Sequence, residues 1–328
     1  MIITRTPFRI SFVGGGSDLE SFYAQFPGAV LSTSINKYMY ISSHKYFESD
    51  KIRVKYSQTE TVTHADELQH PILRTALKQF NIEGGIEISS IADVPSGTGM
   101  GSSSSFTVGL LHNLYTWNGQ FASKEILADN ACDIEINQLH EPIGKQDQYA
   151  AAYGGLNIIR FNTNGTVRVE PIHLKKDTYE TLEDNLIMFY YGNQRSASSI
   201  LAEQKQNTSQ ADKQKSLIQM VQLVDDLKDC LYADNLNQFG RILHENWLLK
   251  KELASQISNK EIDDIYEIAI RNGALGGKLL GAGGGGFLLF YCEKEKQVNL
   301  IKALHKLQYF PFKFDQEGSK IIYTEYDN

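Results

Sequence analysis

A glycine-rich stretch at residues 93–106 constrains the fold of this chain more than any other segment. It reads Asp-Val-Pro-Ser-Gly-Thr-Gly-Met-Gly-Ser-Ser-Ser-Ser-Phe, so alternating glycines run into four serines. Glycine adopts backbone angles that other residues resist, and it lets main-chain N–H groups approach a ligand closely. A strand-like run at 85–91 precedes the stretch and an apolar helical run at 106–117 follows it. Because helix N-termini attract anions, this strand–loop–helix pattern predicts a phosphate site rather than a flexible linker.

The composition restricts the class of protein. The chain has 328 residues, of which 41% are hydrophobic and 22% charged, as in globular proteins of one large or two medium domains. The formal net charge of −7 argues against a nucleic-acid surface, and no apolar run reaches the roughly 18 residues of a membrane span. The three cysteines lack zinc-type spacing, and the N-terminus resembles a strand rather than a signal peptide. We expect a cytoplasmic protein that binds small molecules, neither nucleic acid nor membrane, as a monomer or homodimer.

The order of the predicted elements divides the chain into a strand-rich first part and a helix-rich second part. Strands and helices do not alternate strictly, which favours an α+β fold over a doubly wound sheet. We predict two domains, residues 1–182 and 183–328. Within the first, the pattern predicts a helix at 19–26, capped by one of the two polar residues before it, and an amphipathic helix at 124–139.

Two common phosphate motifs do not account for the glycine loop. A Walker A loop carries a lysine followed by Ser or Thr after its last glycine, whereas Gly101 is followed by Ser102 with no lysine nearby. The dinucleotide fingerprint matches the letters of Gly281–Gly286, but it should open a helix, and this stretch precedes a strand. Neither motif therefore explains the predicted anion site.

The loop does match the pattern Pro-x-x-x-Gly-x-Gly-Ser-Ser, and it resembles the ATP-phosphate loop of the GHMP kinases. Pro7–Asp18 resembles the first motif of that superfamily and Lys278–Gly286 the third, so three motifs occur in the family's order across nearly the whole chain. The resemblance implies a strand-rich N-terminal domain with the phosphate loop and a helix-rich C-terminal domain with a small sheet. It also implies that the third motif packs beside the phosphate loop.

Within the superfamily the chain is most similar to sugar anomeric kinases. The segments Gly14–Asp18, Gly144–Ala150 and Gly154–Asn157 resemble kinases of D-glycero-D-manno-heptose 7-phosphate, and L-fucose kinases come next. The resemblance implies transfer of the γ-phosphoryl group of ATP to the anomeric hydroxyl of that sugar, which yields the 1,7-bisphosphate for nucleotide-heptose biosynthesis. A kinase of an unphosphorylated sugar such as L-fucose stays open, as does a non-catalytic sugar and ATP sensor.

Phosphoryl transfer needs a phosphate cradle, a magnesium ion, an oriented acceptor hydroxyl and a group that receives its proton. The resemblance assigns the cradle for ATP to Pro95, Gly97, Gly99, Met100, Gly101, Ser102, Ser103 and Ser104. It assigns Mg²⁺ to Ser103 and Glu135, and this ion prefers one or two carboxylates together with phosphate oxygens. From the residues alone, a helix cap for Ser103 and a solvated helix face for Glu135 remain open.

The resemblance also implies two catalytic residues, Asp147 and Arg9. Asp147 follows a Pro/Gly break and begins a short helix, where it would face the acceptor hydroxyl as a general base or an orienting group. Arg9 would lie between Asp147 and the phosphoryl group, stabilise the transferring charge and keep Asp147 ionised. A helix N-cap for Asp147 and a surface position for Arg9 are the structural alternatives.

Acceptor binding is expected around the first motif and two later segments. The residues implied are Gly14, Gly15, Gly16, Ser17, Asp18, Lys145, Gly154, Gly155 and Arg195. Asp18 would accept hydrogen bonds from sugar hydroxyls. Lys145 and Arg195 are the candidates for binding a phosphate on the substrate, and Lys278 is a further one. Arg195 stands with serines at a predicted helix start, which suits an anion. For Arg195, an ordinary surface position remains open.

Overall fold

The computed structural model describes residues 1–192 and 197–325, so Arg195 lies outside the described residues. The strands in this part are β1 (Ile2–Val13), β2 (Gly28–Lys45), β3 (Ile52–Lys55), β4 (Thr59–Val62), β5 (Ile86–Ala92), β6 (Leu156–Phe161), β7 (Val167–Pro171), β8 (Leu186–Gly192), β9 (Ala274–Leu279), β10 (Gly286–Cys292), β11 (Gln308–Tyr309), β12 (Phe314–Asp315) and β13 (Lys320–Thr324). The helices are α1 (Glu20–Tyr23), α2 (Pro71–Gln79), α3 (Ser102–Trp117), α4 (Lys124–Cys132), α5 (Gln146–Tyr153), α6 (Lys176–Asn185), α7 (Ala197–Asn207), α8 (Ala211–Tyr232), α9 (Leu236–Lys251), α10 (Lys260–Arg271) and α11 (Gln297–Ala303).

A mixed sheet of nine strands, counted over the described residues, forms the first part of the molecule. Its main path runs β13-β1-β2-β5-β3-β4, and β6 and β12 also pair with β2. Strand β2 is long enough to pair with β6 along its first half and with β5 along its second. Helices α3 and α5 cover β1 and β2. The side chains of Phe8, Ile10 and Phe12 on β1 are fully buried. Strand β1 thus runs through the core and carries its middle residues toward the interior.

The second part is helical around a small antiparallel sheet with the order β11-β8-β10-β9. Helices α8 and α9 pack on each other, and both contact β1 of the large sheet. The ring of Phe12 on β1 lies edge-on to the ring of Phe239 on α9, with centroids 5.2 Å apart. The α+β class, with a strand-rich N-terminal part and a small sheet in the helical part, is confirmed.

The chain returns to the large sheet at its end. Strand β12 pairs with β2 and β13 pairs with β1, both antiparallel. The predicted domain boundary at residue 183 stays a prediction, and the sheet pairing adds that residues 314–324 complete the N-terminal sheet rather than the C-terminal one. Across residues 1–192 and 197–325, no helix combines the length and apolarity that crossing a membrane requires.

Two helix predictions need correction. The helix predicted at 19–26 is the single turn Glu20–Tyr23, and neither polar residue before it caps its N-terminus, because both side chains bond elsewhere. The helix predicted at 124–139 ends at Cys132 and continues as a π-helical turn, Asp133–Gln138. Such π-turns are rare and often occur at functional sites. Here the turn carries Glu135.

Candidate active site

A cavity of about 350 Å³ lies where the two parts of the molecule meet. Its walls come from β1, the first glycine motif, the phosphate loop, the π-turn, the start of α5, helices α7 and α9, and the third motif. The residues that line it are Arg9, Ser11, Gly15, Gly16, Asp18, Leu19, Gly97, Gly99, Gly101, Ser102, Ser103, Ser104, Glu135, Glu141, Ile143, Gly144, Gln146, Asp147, Leu201, Gln204, Lys250, Lys278, Gly281 and Ala282.

The phosphate loop enters this cavity through its main chain. Its three glycines have φ values of +75°, +85° and +73°, in the region that side-chain-bearing residues avoid. Helix α3 then begins at Ser102 with Gly101 as its N-cap residue, and no side chain of the described residues caps it. The first-turn N–H groups of a helix lack intrahelical partners, so an uncapped N-terminus that opens on a cavity suits a phosphate group.

The third motif packs directly on the phosphate loop. A Cβ atom placed on Gly99 would lie 2.4 Å from the carbonyl oxygen of Leu280, and one on Gly281 would lie 2.3 Å from the Cα atom of Gly99. A Cβ on Gly286 would likewise lie 2.3 Å from the carbonyl oxygen of Thr98. Glycine is therefore required on both sides of this contact, which is the packing that the resemblance to the GHMP kinases implies for the third motif.

Two cradle residues do not bring their side chains to the cavity. Met100 is fully buried in the core, and its carbonyl oxygen accepts the N–H of Arg9 at 3.2 Å. Pro95 is exposed, and its carbonyl oxygen accepts the Thr98 hydroxyl at 2.9 Å. Both side chains shape the loop from outside the cavity lining. A contact of these two residues with the nucleotide stays a prediction.

Arg9 and Asp147 form a two-pronged ion pair inside the cavity. The Arg9 Nε and Nη2 atoms donate to Asp147 Oδ1 and Oδ2 at 2.8 and 2.9 Å. The third donor, Nη1, bonds to the carbonyl oxygen of Gly99 in the phosphate loop at 2.7 Å. Arg9 is only 4% exposed, so β1 holds the guanidinium rigidly between Asp147 and the loop. A carboxylate positioned in this way can accept or orient a proton beside a bound phosphate.

Glu135 and Ser103 meet at the start of α3. Glu135 is 1% exposed, and its Oε1 accepts the Ser103 hydroxyl at 2.6 Å, while its Oε2 accepts Gln148 Nε2 at 2.8 Å. Burial raises the pKa of the Glu135 carboxyl, an effect that hydrogen bonds from Ser103 and Gln148 oppose. The ionised form of such a buried carboxylate would be stabilised by a nearby cation.

The pair fits the needs of Mg²⁺. In the described part of the chain, no three His, Cys, Asp or Glu side chains cluster as a self-sufficient metal site. Magnesium takes one or two carboxylates and completes its shell with phosphate oxygens and water. A single carboxylate and a hydroxyl next to a predicted phosphate site match that preference.

Asp18 forms the other end of the cavity. It is 3% exposed, and its Oδ1 accepts the N–H of Gly16 at 2.9 Å, while its Oδ2 accepts the Gln146 N–H and Nε2 at 3.3 and 3.1 Å. Burial and the charge of Asp147 raise the pKa of Asp18. A Cβ on Gly144 would lie 2.0 Å from Asp18 Oδ2, so the second segment needs glycine at that position.

Gly15 and Gly16 line the cavity beside Asp18, but the structure does not bring Gly14 and Ser17 to it. A Cβ on Gly14 would lie 2.0 Å from the carbonyl oxygen of Ala29, which shows how tightly the main chain packs there. The Ser17 hydroxyl donates to the carbonyl oxygens of Gly14 and Ala29 at 2.8 and 3.0 Å. These two residues hold the loop in shape.

Lys145, Gly154 and Gly155 also lie away from the cavity. Lys145 Nζ donates to the carbonyl oxygen of Gly165 at 2.8 Å and lies over the ring of Tyr23. A Cβ on Gly154 would lie 2.1 Å from the main chain of Glu317, and Gly155 donates its N–H to the carbonyl oxygen of Asp315. The two glycines thus admit the returning C-terminal segment, and none of the three residues lines the cavity.

Two buried lysines line the cavity. Lys278 Nζ donates to the carbonyl oxygens of Ser11 and Phe12 at 2.7 and 2.9 Å, and burial lowers its pKa. Lys250, on α9, donates to the carbonyl oxygen of Gly281. Burial and the nearby Arg9 lower the pKa of Lys250 to about 8, although Asp18 and Asp147 act in the opposite direction.

Several residues that line the cavity were not predicted as site residues, because no sequence motif marks them. Lys278 opens the third motif, but Gln204 and Lys250 lie on helices that carry no motif. Ser11 is inside the first motif, where it resembles an ordinary strand residue. Gln146 is next to Asp147, and only the fold shows that its side chain binds Asp18.

The chain is similar to known proteins along nearly its whole length. Residues 68–155 match the family model of the GHMP kinases N terminal domain, and residues 227–309 match GHMP kinases C terminal. A D-glycero-alpha-D-manno-heptose 7-phosphate kinase of Campylobacter jejuni is 32% identical over 335 residues, which cover 97% of this chain and 98% of the relative. An L-fucokinase/L-fucose-1-P guanylyltransferase of Bacteroides fragilis is 26% identical over 92% of this chain and 35% of the relative. The crystal structure of a D-glycero-D-manno-heptose 1-phosphate kinase from Bacteroides thetaiotaomicron superposes over the full length of both chains with a TM-score of 0.81 at 23% identity.

Proposed function

The chain belongs to the GHMP kinases, ATP-dependent phosphotransferases with an alcohol group as acceptor, and we propose that its acceptor is the anomeric hydroxyl of D-glycero-D-manno-heptose 7-phosphate. The product would be the 1,7-bisphosphate, a precursor of nucleotide-activated heptose. The observation that carries this proposal is the 32% identity to a heptose 7-phosphate kinase over nearly the whole length of both chains.

The arrangement of Arg9 and Asp147 supports a mechanism for the transfer. The phosphates of ATP would bind the first-turn N–H groups of α3, and the acceptor would lie between Asp18 and Asp147. Asp147 would accept the proton of the attacking hydroxyl or orient it. Arg9 would hold the Asp147 carboxylate in place and connect it to the phosphate loop. The transition state of phosphoryl transfer is loose and charged, so positioning and charge stabilisation account for most of the catalysis.

Ser103 and Glu135 would hold Mg²⁺ in this scheme. The ion neutralises phosphate charge when it is bound. The Ser103–Glu135 hydrogen bond and the Gln148 amide fix the carboxylate toward the loop, so the chain itself provides an orientated ligand pair. Burial raises the pKa of Glu135, and a cation bound beside it would favour the ionised form.

The 7-phosphate of the acceptor has weaker structural support than the sugar. Lys145 bonds to a main-chain carbonyl outside the cavity, and Arg195 lies outside the described residues. We therefore keep a second candidate function, a kinase of an unphosphorylated sugar such as L-fucose. The similarity to the Bacteroides fragilis relative, an L-fucokinase/L-fucose-1-P guanylyltransferase, supports it. A non-catalytic sensor is disfavoured because Arg9, Asp147, Ser103 and Glu135 converge on one cavity.

A panel of sugars with ATP and Mg²⁺ tests the proposal directly. The panel contains D-glycero-D-manno-heptose 7-phosphate, the unphosphorylated heptose, D-mannose, L-fucose and D-galactose, and ³¹P and ¹H NMR locate the new phosphate. We expect the highest kcat/KM for the heptose 7-phosphate, with the phosphate on C1. A preference for L-fucose, or phosphorylation at another carbon, would overturn the substrate assignment while leaving the kinase activity in place.

A further inference from the structure

Three buried polar atoms in the acceptor end of the cavity lack a hydrogen-bond partner among the described residues. They are Ser11 Oγ, Gln146 Oε1 and Gln204 Nε2. The side chains of Ser11 and Gln204 belong to residues that are only 6% and 3% exposed. An unsatisfied buried polar atom costs about 1–3 kcal/mol, so three in one cavity indicate a site whose partners arrive with a ligand.

The side chains that carry these three atoms lie around the same two glycines. A Cβ on Gly15 would lie 3.6 Å from Ser11 Oγ and 3.8 Å from Gln146 Nε2, and one on Gly16 would lie 2.1 Å from Gln204 Nε2. Gly16 has a φ of +102° and no room for a side chain, so glycine there is what admits the Gln204 amide. Since Gln146 Nε2 already donates to Asp18, its carbonyl Oε1 is the atom left for a ligand.

The chemistry of these atoms indicates a neutral polyol. Gln146 Oε1 only accepts, Gln204 Nε2 only donates, and the Ser11 hydroxyl does both. A sugar hydroxyl satisfies either kind of partner. A fully ionised phosphate group has no proton to donate to Gln146 Oε1. It would also meet the buried carboxylate of Asp18, which accepts hydrogen bonds from Gly16 and Gln146.

We infer that Ser11, Gln146 and Gln204 form the subsite that binds the non-reacting hydroxyls of the acceptor sugar, and that Gln204 is a specificity-determining residue. Helix α7 contributes Gln204 from the helical part of the chain, whereas β1 and α5 contribute the other two. This inference rests on the proposed function only in taking the acceptor to be a sugar, and it holds for a phosphorylated or an unphosphorylated one. The helical part thus selects the acceptor that Asp147 activates.

The test compares Gln204→Met with Gln206→Met, an exposed glutamine on the same helix. Methionine keeps the length of the side chain and removes the amide donor. The acceptor used is the member of the sugar panel for which the parent protein has the highest kcat/KM. The panel therefore tests the proposed substrate, and the variants test the proposed subsite separately. Kinetics are measured for the acceptor, for ATP and for deoxy analogues that lack each non-reacting hydroxyl in turn.

We expect Gln204→Met to raise the acceptor KM about three- to tenfold, the effect of one neutral hydrogen bond, with the ATP KM and the unfolding temperature close to those of the parent. One deoxy analogue should lose affinity in the parent but lose nothing further in Gln204→Met. Gln206→Met should match the parent throughout. An unchanged acceptor KM, additive losses for every analogue, or an effect seen only with phosphorylated sugars would each overturn the inference.

Discussion

The two ends of the cavity, one for the phosphate donor and one for the acceptor, differ in the chemical groups that line them. The donor end uses main-chain groups: glycines at positive φ, the uncapped start of α3, and glycine-to-glycine packing against the third motif. The acceptor end uses side chains that four separate elements bring together, among them Ser11, Asp18, Gln146 and Gln204. Arg9 joins the two ends, since it bonds to Asp147 on one side and to the Gly99 carbonyl oxygen on the other.

The difference follows from what each end must recognise. A triphosphate presents similar oxygens whatever nucleotide carries it, and N–H groups at a helix start bind it without side-chain identity. A sugar is recognised by the directions of its hydroxyls, which requires donors and acceptors at defined positions. The donor end should therefore respond to backbone changes and the acceptor end to side-chain changes.

The largest effect is expected where the two ends meet, at Asp147. Asp147→Asn keeps the shape and a hydrogen bond to Arg9 but cannot accept a proton, so kcat should fall about 10³-fold while ATP binding persists. Steady-state kinetics and calorimetric titration of a non-hydrolysable ATP analogue measure the two quantities. Asp133→Asn, a carboxylate that bonds to Asn137 on the π-turn, is the matched control. Turnover close to the parent in Asp147→Asn would remove this residue from the chemistry.

The same contrast explains what the sequence could predict. The donor end consists of short contiguous motifs, so local pattern predicts the anion site at Gly97–Ser104, and the resemblance to the GHMP kinases implies the packing of Gly281 on it. The acceptor end depends on the fold, because nothing near Gln204 in the sequence indicates that α7 reaches Gly16. Lys145 shows the converse case. It lies in a segment that carries the family resemblance, but its side chain bonds to the Gly165 carbonyl oxygen and not to a group in the cavity.

Strand β9 could not be predicted from the sequence for a similar reason. Strand β9 contains Gly276 and Gly277, which disfavour a strand by propensity. They are present because a Cβ on Gly276 would lie 2.0 Å from the carbonyl oxygen of Gly240 on α9, and one on Gly277 would lie 2.4 Å from that of Leu289 on β10. Close tertiary packing overrides local propensity here, and local pattern carries no information about it.

A smaller effect is expected from a backbone change at the donor end. Gly99→Ala places a Cβ 2.4 Å from the Leu280 carbonyl oxygen, so the third motif must move and kcat/KM for ATP should fall about a hundredfold. Gly97→Ala is a matched control, because its φ is also positive (+75°) but a Cβ there meets no described atom within 4 Å. Gly97 lies in the same loop and lines the same cavity, so this variant carries the backbone strain, about 1–2 kcal/mol, without the contact with Leu280. Equal losses in both variants would mean that strain, and not the contact with Leu280, limits the loop.

The smallest effect is expected at Lys250, which lies on the helical side of the cavity and donates to the Gly281 carbonyl oxygen. Its pKa of about 8 means that it is cationic below that pH and neutral above it, because burial and Arg9 disfavour the charge. If the cation assists the transferring phosphate, kcat/KM should fall about tenfold as the pH rises through 8, and Lys250→Met should lose this dependence. Lys251→Met, the next residue on the helix, which pairs with Asp263, is the control and should keep it.

The Lys250 profile also distinguishes a charge role from a packing role. A bound phosphate would favour the ammonium form, so the alkaline limb should lie at higher pH in kcat, which reports the bound complex, than in kcat/KM, which reports the unbound enzyme. A lysine that only ties α9 to the third motif would lower activity equally at every pH when replaced. A pH-independent loss in Lys250→Met would therefore assign Lys250 to the packing of the donor end and leave Arg9 as the cation that acts on the phosphate.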